Sequence, residues 1–212
     1  MRFDVTLPDG ERIDGVRLNL PGRHNVRNAL AAIGVAWELG VTAGPIRRAL
    51  EGFAGIGRRL ESLGRVPWGD GDVAWVDDYG HHPAEIRATF EAMRSAWPER
   101  RLVVVFQPHR YTRTQDLLDD FARVLPTADV LLVSAVYAAG EEAIAGADGR
   151  ALCRAIRARG PTDPVFVSDI ADLESHLRPL LRAGDVVLTL GAGSIGTIAR
   201  ELPQRLAQGA AP

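Results

Sequence analysis

Five short runs rich in valine and leucine, separated by stretches of helical periodicity, constrain this chain more than any other feature. They fall at 73–76, 102–106, 130–136, 165–167 and 186–190. Leu102-Val103-Val104-Val105-Phe106 is apolar at every position, as expected of a strand buried on both faces of a parallel sheet. Helices are expected near 83–97, 115–125, 149–159, 171–182 and 194–207. The alternation reads as successive βαβ units, so the fold class is α/β: a Rossmann-like doubly wound, mostly parallel sheet.

The first 55 residues follow a different pattern. Residues 3–20 alternate loosely around Pro8-Asp9-Gly10, which predicts a β-hairpin. From His24 to Leu39 the apolar residues Val26, Leu30, Ile33 and Trp37 recur at helical spacing and Gly40 ends the pattern. A second short helix is expected at about 45–53. Ala54-Gly55-Ile56-Gly57 has the composition of a linker. The expected division is therefore 1–55, 56–205 and a flexible tail at 206–212, within a length of 212 residues that allows one large domain or a small one joined to part of another.

Composition excludes several functions. With 25 basic and 27 acidic residues and a net charge of -2, the chain lacks the broad basic face expected of a duplex nucleic acid partner. All of the basic residues counted there are arginine and none is lysine. A lysine-bearing phosphate loop, Schiff-base chemistry and a lysine base therefore cannot come from this chain. The single cysteine, Cys153, can form neither an intrachain disulfide nor a tetrahedral metal site alone. No apolar run approaches a membrane span, and Met1-Arg2-Phe3-Asp4 lacks the core of a signal peptide. The expected setting is the cytoplasm.

Ligands of open parallel sheets bind outside the carboxyl ends of the strands, and four of those ends carry unusual polar residues. They are Asp77-Asp78-Tyr79-Gly80-His81-His82-Pro83, Gln107-Pro108-His109-Arg110-Tyr111-Thr112-Arg113-Thr114, Tyr137-Ala138-Ala139-Gly140-Glu141-Glu142 and Gly191-Ala192-Gly193-Ser194-Ile195-Gly196. Asp77-Asp78 and His81-His82 have a plainer reading, as a strand end leading into a helix capped near Pro83. Zinc ligation by His81, His82, His109 and Asp78 is disfavoured, because adjacent histidines on one loop rarely point the same way. Arg110 and Arg113 supply two guanidinium forks, the donors that hold a carboxylate or phosphate. Gly191 to Gly196 fits G-x-G-x-x-G, but it follows the last strand and leaves no room for the acidic ribose partner of a dinucleotide site. It is read as a close-approach loop, and Cys153 as a core residue.

These clusters, with Pro21-Gly22-Arg23-His24-Asn25-Val26-Arg27-Asn28-Ala29-Leu30 and Arg58-Arg59 upstream, closely resemble the UDP-N-acetylmuramate-L-alanine ligases of the Mur ligase family, over about 20–200. The resemblance implies that 1–55 is the tail of a central ATP-binding domain and 56–205 the C-terminal amino-acid-binding domain. It implies a ligase of peptidoglycan biosynthesis that uses ATP and Mg2+ to join L-alanine to UDP-N-acetylmuramic acid through an acyl phosphate. Asn25 and Asn28 would hold the adenine side of the nucleotide, Asp78 its ribose and Arg59 its phosphates. His109, Arg110 and Arg113 would anchor the alanine carboxylate, with Tyr79 and His81 lining the same pocket; Arg59 and His81 are the candidate catalytic residues. No metal ligand is assigned within this chain. The family's G-K-T phosphate loop, magnesium-binding acid and carbamylated lysine have no counterpart here, so the chain alone is expected to be inactive. Without the sheet that such a tail covers, residues 1–54 are expected to be loosely held or to expose an apolar patch. Two alternatives stand beside this reading: a murein tripeptide recycling ligase, or a non-catalytic binding remnant or split-enzyme subunit working with a separate N-terminal chain.

Overall fold

The structure is a computed structural model, and it describes residues 1–160 and 162–208. Strands β1 (Arg2–Thr6) and β2 (Arg12–Arg17) form an antiparallel hairpin. Helices α1 (Arg23–Glu38) and α2 (Ala43–Glu51) follow. Val5, Leu7, Ile13, Val16, Ile33 and Ile46 share a small core of their own. On α1 Leu30 and Val35 are exposed, as are Leu39, Val41, Phe53 and Ile56 after it.

The rest of the chain builds one six-stranded sheet. In chain order its elements are β3 (Glu61–Trp68), β4 (Gly71–Asp78), α3 (Pro83–Ala96), β5 (Leu102–Phe106), α4 (Tyr111–Asp116), α5 (Leu118–Val124), β6 (Val130–Ser134), α6 (Gly149–Arg157), β7 (Val165–Val167), α7 (Leu173–Leu177), β8 (Val186–Leu190) and α8 (Ile195–Gln208). The spatial order is β3-β4-β8-β5-β6-β7, parallel throughout except for β3. Successive side chains of a strand point to opposite faces, and the core divides accordingly. Val104, Phe106, Leu188 and Leu190 pack against α3, α5 and α6, whereas Val103, Val105 and Val187 pack against α7 and α8. Every residue of β5 and β8 is buried.

Three expectations need correction. The helix expected at 115–125 is two helices, α4 and α5, broken at Leu117, and α4 starts within the polar stretch after β5. The helix expected at 171–182 shrinks to α7 between single 3-10 turns at Ile170–Asp172 and Arg178–Leu180. The flexible tail does not begin at 206: α8 continues to Gln208 because Leu206 is fully buried in the α7–α8 layer. Residues 209–212 lie outside the described residues.

Candidate functional site

Late-arriving β8 lies between β4 and β5, and this insertion creates the crevice. Asp78, Leu190 and Phe106 stand in register at the carboxyl ends of the three strands. The Gln107 amide donates to the Leu190 carbonyl at 2.9 Å, and the Gly191 amide to the Asp78 carbonyl at 3.2 Å. The loops that follow are thereby stitched together at the topological switch point, where open α/β sheets place their ligands.

Asp77 and Asp78 are adjacent in β4 and face opposite ways. Asp77 is fully buried; its carboxylate pairs with Arg58 Nε at 2.9 Å and accepts from the Thr189 hydroxyl at 2.7 Å. Asp78 accepts from the amides of Leu60 (2.9 Å) and Gly80 (2.8 Å) and from the Thr89 hydroxyl (3.2 Å). Burial raises its carboxyl above the ordinary range, and those donors, with Arg59, only partly offset it. Asp78 lines a cleft of about 600 Å³ together with Asn25, Asn28 and Arg59. All four residues expected on the nucleotide side therefore meet in one cavity, along with His24, Glu85 and Thr89. The Asn25 side-chain amide also donates to the Pro21 carbonyl at 2.7 Å, fixing the entry to α1.

The two adjacent histidines diverge. His82 is the N-cap of α3, its Nδ1 accepting from the Ala84 amide, and Glu85 reaches back to the amides of His81 and His82. Burial alone would raise the Glu85 carboxyl, but these amides together with the His81 ring and Arg59 hold it below the usual range. The plainer reading of a capped helix start thus holds for His82. His81 turns instead toward Tyr79 and His109, with ring centroids 5.4 and 5.7 Å away. Its Nδ1 lies 3.1 Å from the Tyr79 carbonyl. A carbonyl can only accept, so the neutral ring carries its proton on Nδ1 and leaves Nε2 as the acceptor.

Across the crevice, His109 stacks on Tyr137 at 5.5 Å and forms a parallel bridge with it. Arg113 sits one turn into α4, so its Nη1 reaches back to both the His109 carbonyl and His109 Nδ1 at 3.1 Å. Guanidinium only donates, which makes Nδ1 the acceptor and puts the proton of neutral His109 on Nε2. Burial, followed by Arg113, His81 and Arg110, holds the His109 pKa below its ordinary value. Arg110, at φ 71, directs its guanidinium toward Glu141 at 3.6 Å. Glu141 also accepts from the Thr112 amide and hydroxyl, capping α4 from a loop 29 residues away in sequence.

The glycine-rich loop serves internal contacts. A Cβ at Gly191 would stand 2.6 Å from the Gln107 carbonyl oxygen, and one at Gly193 the same distance from the Tyr137 ring. Gln107 Oε1 accepts from the Ile195 amide at 3.0 Å, occupying a free donor at the start of α8. Cys153 is buried and its thiol is pushed up to about 11 by burial, so it packs rather than reacts. Sequence reasoning gave no role to Gln107, Glu141, Thr89 or Tyr137. Tyr137 and Glu141 lie in one of the polar strand ends and could have been found there; Thr89, inside a helix, offered no signal. Among the described residues, no group of three or more His, Cys, Asp or Glu side chains could hold a metal ion, and no helix is long and apolar enough to cross a membrane.

The family described as Mur ligase, glutamate ligase domain, matches residues 58–193. The chain is 56% identical over 211 residues to the UDP-N-acetylmuramate--L-alanine ligase of Methylococcus capsulatus, a match covering 100% of this chain and 44% of that protein. It is 57% identical over 203 residues to the protein of the same description from Xanthomonas oryzae pv. oryzae, covering 95% and 42%. The crystal structure of the UDP-N-acetylmuramate-alanine ligase of Thermotoga maritima superposes with a TM-score of 0.77 at 28% identity, over 98% of this chain and 44% of that one. A murein peptide ligase from Psychrobacter arcticus gives 0.68 at 27% identity, over 97% and 42%. The chain thus spans less than half the length of the curated relatives it matches.

Proposed function

The chain belongs to the Mur ligase family, and from that premise we propose that it supplies the amino-acid-binding half, and one wall of the nucleotide site, of a cytoplasmic ligase joining L-alanine to UDP-N-acetylmuramic acid in peptidoglycan biosynthesis. One observation carries this reading. The nucleotide cleft and the His81–His109 rim adjoin at consecutive residues, Asp78 in the cleft and Tyr79 beside His81.

ATP, when bound, supplies the phosphoryl group that activates the muramate carboxylate. The residues present fit its adenosine part: the cleft is lined by the amides of Asn25 and Asn28, the Arg59 guanidinium, the His24 imidazole and the carboxylates of Asp78 and Glu85. Asp78 spends three acceptor sites on its neighbours, and a carboxylate has about four, so one remains for a ribose hydroxyl. Asn25 and Asn28 would meet the base. Arg59 would face the phosphates as fixed positive charge, the kind of stabilisation that acts where charge develops. Magnesium finds no ligand set among the described residues.

The alanine carboxylate would be held by Arg113 and Arg110, while Tyr79, His81 and His109 surround its amine and methyl group. His81 Nε2 is the acceptor suited to the proton that the alanine ammonium must lose before it attacks. Fixing the carboxylate aims the amine, which is catalysis by positioning. The relatives described as alanine ligases, at 56–57% identity, support alanine over the tripeptide of a recycling ligase. To test this, the chain is joined to the preceding part of the Methylococcus relative and offered L-alanine or the tripeptide as acceptor. ATP-dependent ligation of alanine is expected, and preference for the tripeptide would replace the proposal with the recycling reading.

A further inference from the structure

Arg58 precedes the arginine assigned to the phosphates, but its side chain turns away from the nucleotide cleft into the sheet. Its Nε pairs with fully buried Asp77, and its Nη2 donates to the Gly191 carbonyl at the end of β8. Asp77 is held in turn by the Thr189 hydroxyl. The guanidinium also lies 5.1 Å from the Tyr79 ring centroid, with that of Arg59 at 5.5 Å. Gly196, in the first turn of α8, leaves room for it, since a Cβ there would overlap the guanidinium. The backbone is tied as well: the Tyr79 amide donates to the Arg58 carbonyl at 2.7 Å, and the Arg58 amide to Glu61 at 2.8 Å.

These contacts hold an unfavourable turn. Arg58 and Leu60 have φ of 60 and 48, left-handed values that non-glycine residues adopt at a cost unless their surroundings impose them. Between them stands Arg59, whose side chain lines the nucleotide cleft. Directly after, the Leu60 amide donates to Asp78 in that cleft. We propose that Arg58 is a positioning residue: its fork, anchored on Asp77 and Gly191, imposes the turn that delivers Arg59 to the nucleotide, and couples that cleft to the loop carrying Tyr79. The role requires arginine, because two donors at fixed geometry must reach two acceptors, which a lysine ammonium does not reproduce. The functional half of the proposal rests on the nucleotide reading above.

The test uses the 212-residue chain and compares wild type with Arg58→Lys, Thr189→Val and Thr189→Ser. Amide hydrogen exchange is followed at Leu60 and Tyr79, with β5 and β6 as internal controls, and binding of magnesium ADP is followed by NMR at Arg59, Asp78 and Thr89. In Arg58→Lys, exchange at Leu60 and Tyr79 is expected to quicken about tenfold and ADP to bind about tenfold more weakly, the effect of one lost charge-assisted hydrogen bond. Controls in β5 and β6 should not change. Thr189→Val should act in the same direction to a smaller extent, and Thr189→Ser, which keeps the hydroxyl, should restore wild-type behaviour. If Arg58→Lys loses protection in β5, the two Thr189 variants decide. Unchanged exchange at Leu60 and Tyr79 overturns the proposal; so does faster exchange with unchanged ADP affinity, which would leave Arg58 a purely structural role. Should wild type ignore ADP altogether, the nucleotide reading falls, while exchange alone still shows whether Arg58 orders the turn.

Discussion

A histidine nitrogen that accepts a hydrogen bond from arginine resists protonation, and His109 is placed in this way. His109 and His24 both have folded pKa values below 6.5, in each case chiefly through burial. As pH falls through that value the unfolded chain takes up protons first, so stability declines with acidification until pH lies below the folded values. Asp78 acts in the opposite sense at lower pH: its raised folded pKa lets the native state bind the proton first. The melting temperature is therefore expected to drop between about pH 7 and 5, and His109→Gln should flatten that drop; an equally steep profile in the variant would refute the assignment. Arg113→Ala removes both the fork proposed for the alanine carboxylate and the donor to His109. In a fusion to the preceding part of the Methylococcus relative it should raise KM for L-alanine by about tenfold or more, the size of a lost hydrogen bond to a charged group, and leave KM for ATP unchanged. A matching rise in KM for ATP would show that Arg113 does not serve the amino-acid side.

At the level of elements, the sequence revealed whatever was written in local periodicity. The Val- and Leu-rich runs of β5, β7 and β8 are strands with the expected bounds; β5 and β8 are buried at every position, which leaves Thr189 as their one polar residue. Strand β3 went unread: Gly64, Arg65 and Pro67 break any alternation, and such residues are tolerated because an edge strand has only one partner. The start of α4 was missed for a different reason. Its cap, Glu141, comes from another loop, and contacts between loops have no local trace. The site shows the same split, since strand-end residues could be located by the crevice rule whereas the divergence of Asp77 from Asp78 needed the sheet. Two measurements probe this. Leu188→Ala, in the strand inserted between β4 and β5, should cost about 2–5 kcal/mol in urea unfolding, and a smaller loss would mean that the two packed layers are less dependent on β8 than its full burial implies. Glu141→Ala should weaken L-alanine binding several-fold with little change in melting temperature, by releasing Thr112 and Arg110 together.

For the whole molecule, the decisive fact is what its side chains can do to a triphosphate. Arg59 in the cleft can neutralise charge, but there is no lysine anywhere in the chain to complete a phosphate loop, and among the described residues no acidic cluster could hold the metal. The exposed apolar side chains of Leu30 and Val35 lie on α1 and that of Leu39 directly follows it; the same helix contributes Asn25 and Asn28 to the cleft. Exposed apolar side chains favour association with another surface, and the chain spans less than half of each relative's length. The chain by itself should therefore release no phosphate from ATP in the presence of UDP-N-acetylmuramic acid and L-alanine. Joined to the preceding part of the Methylococcus relative it should do so, and Arg59→Ala in that fusion should abolish the reaction. Phosphate release by the isolated chain that survives Arg59→Ala would contradict both the division of labour and the role of Arg59. Release lost in that variant would instead locate the chemistry in this chain, and the missing phosphate loop would then be dispensable.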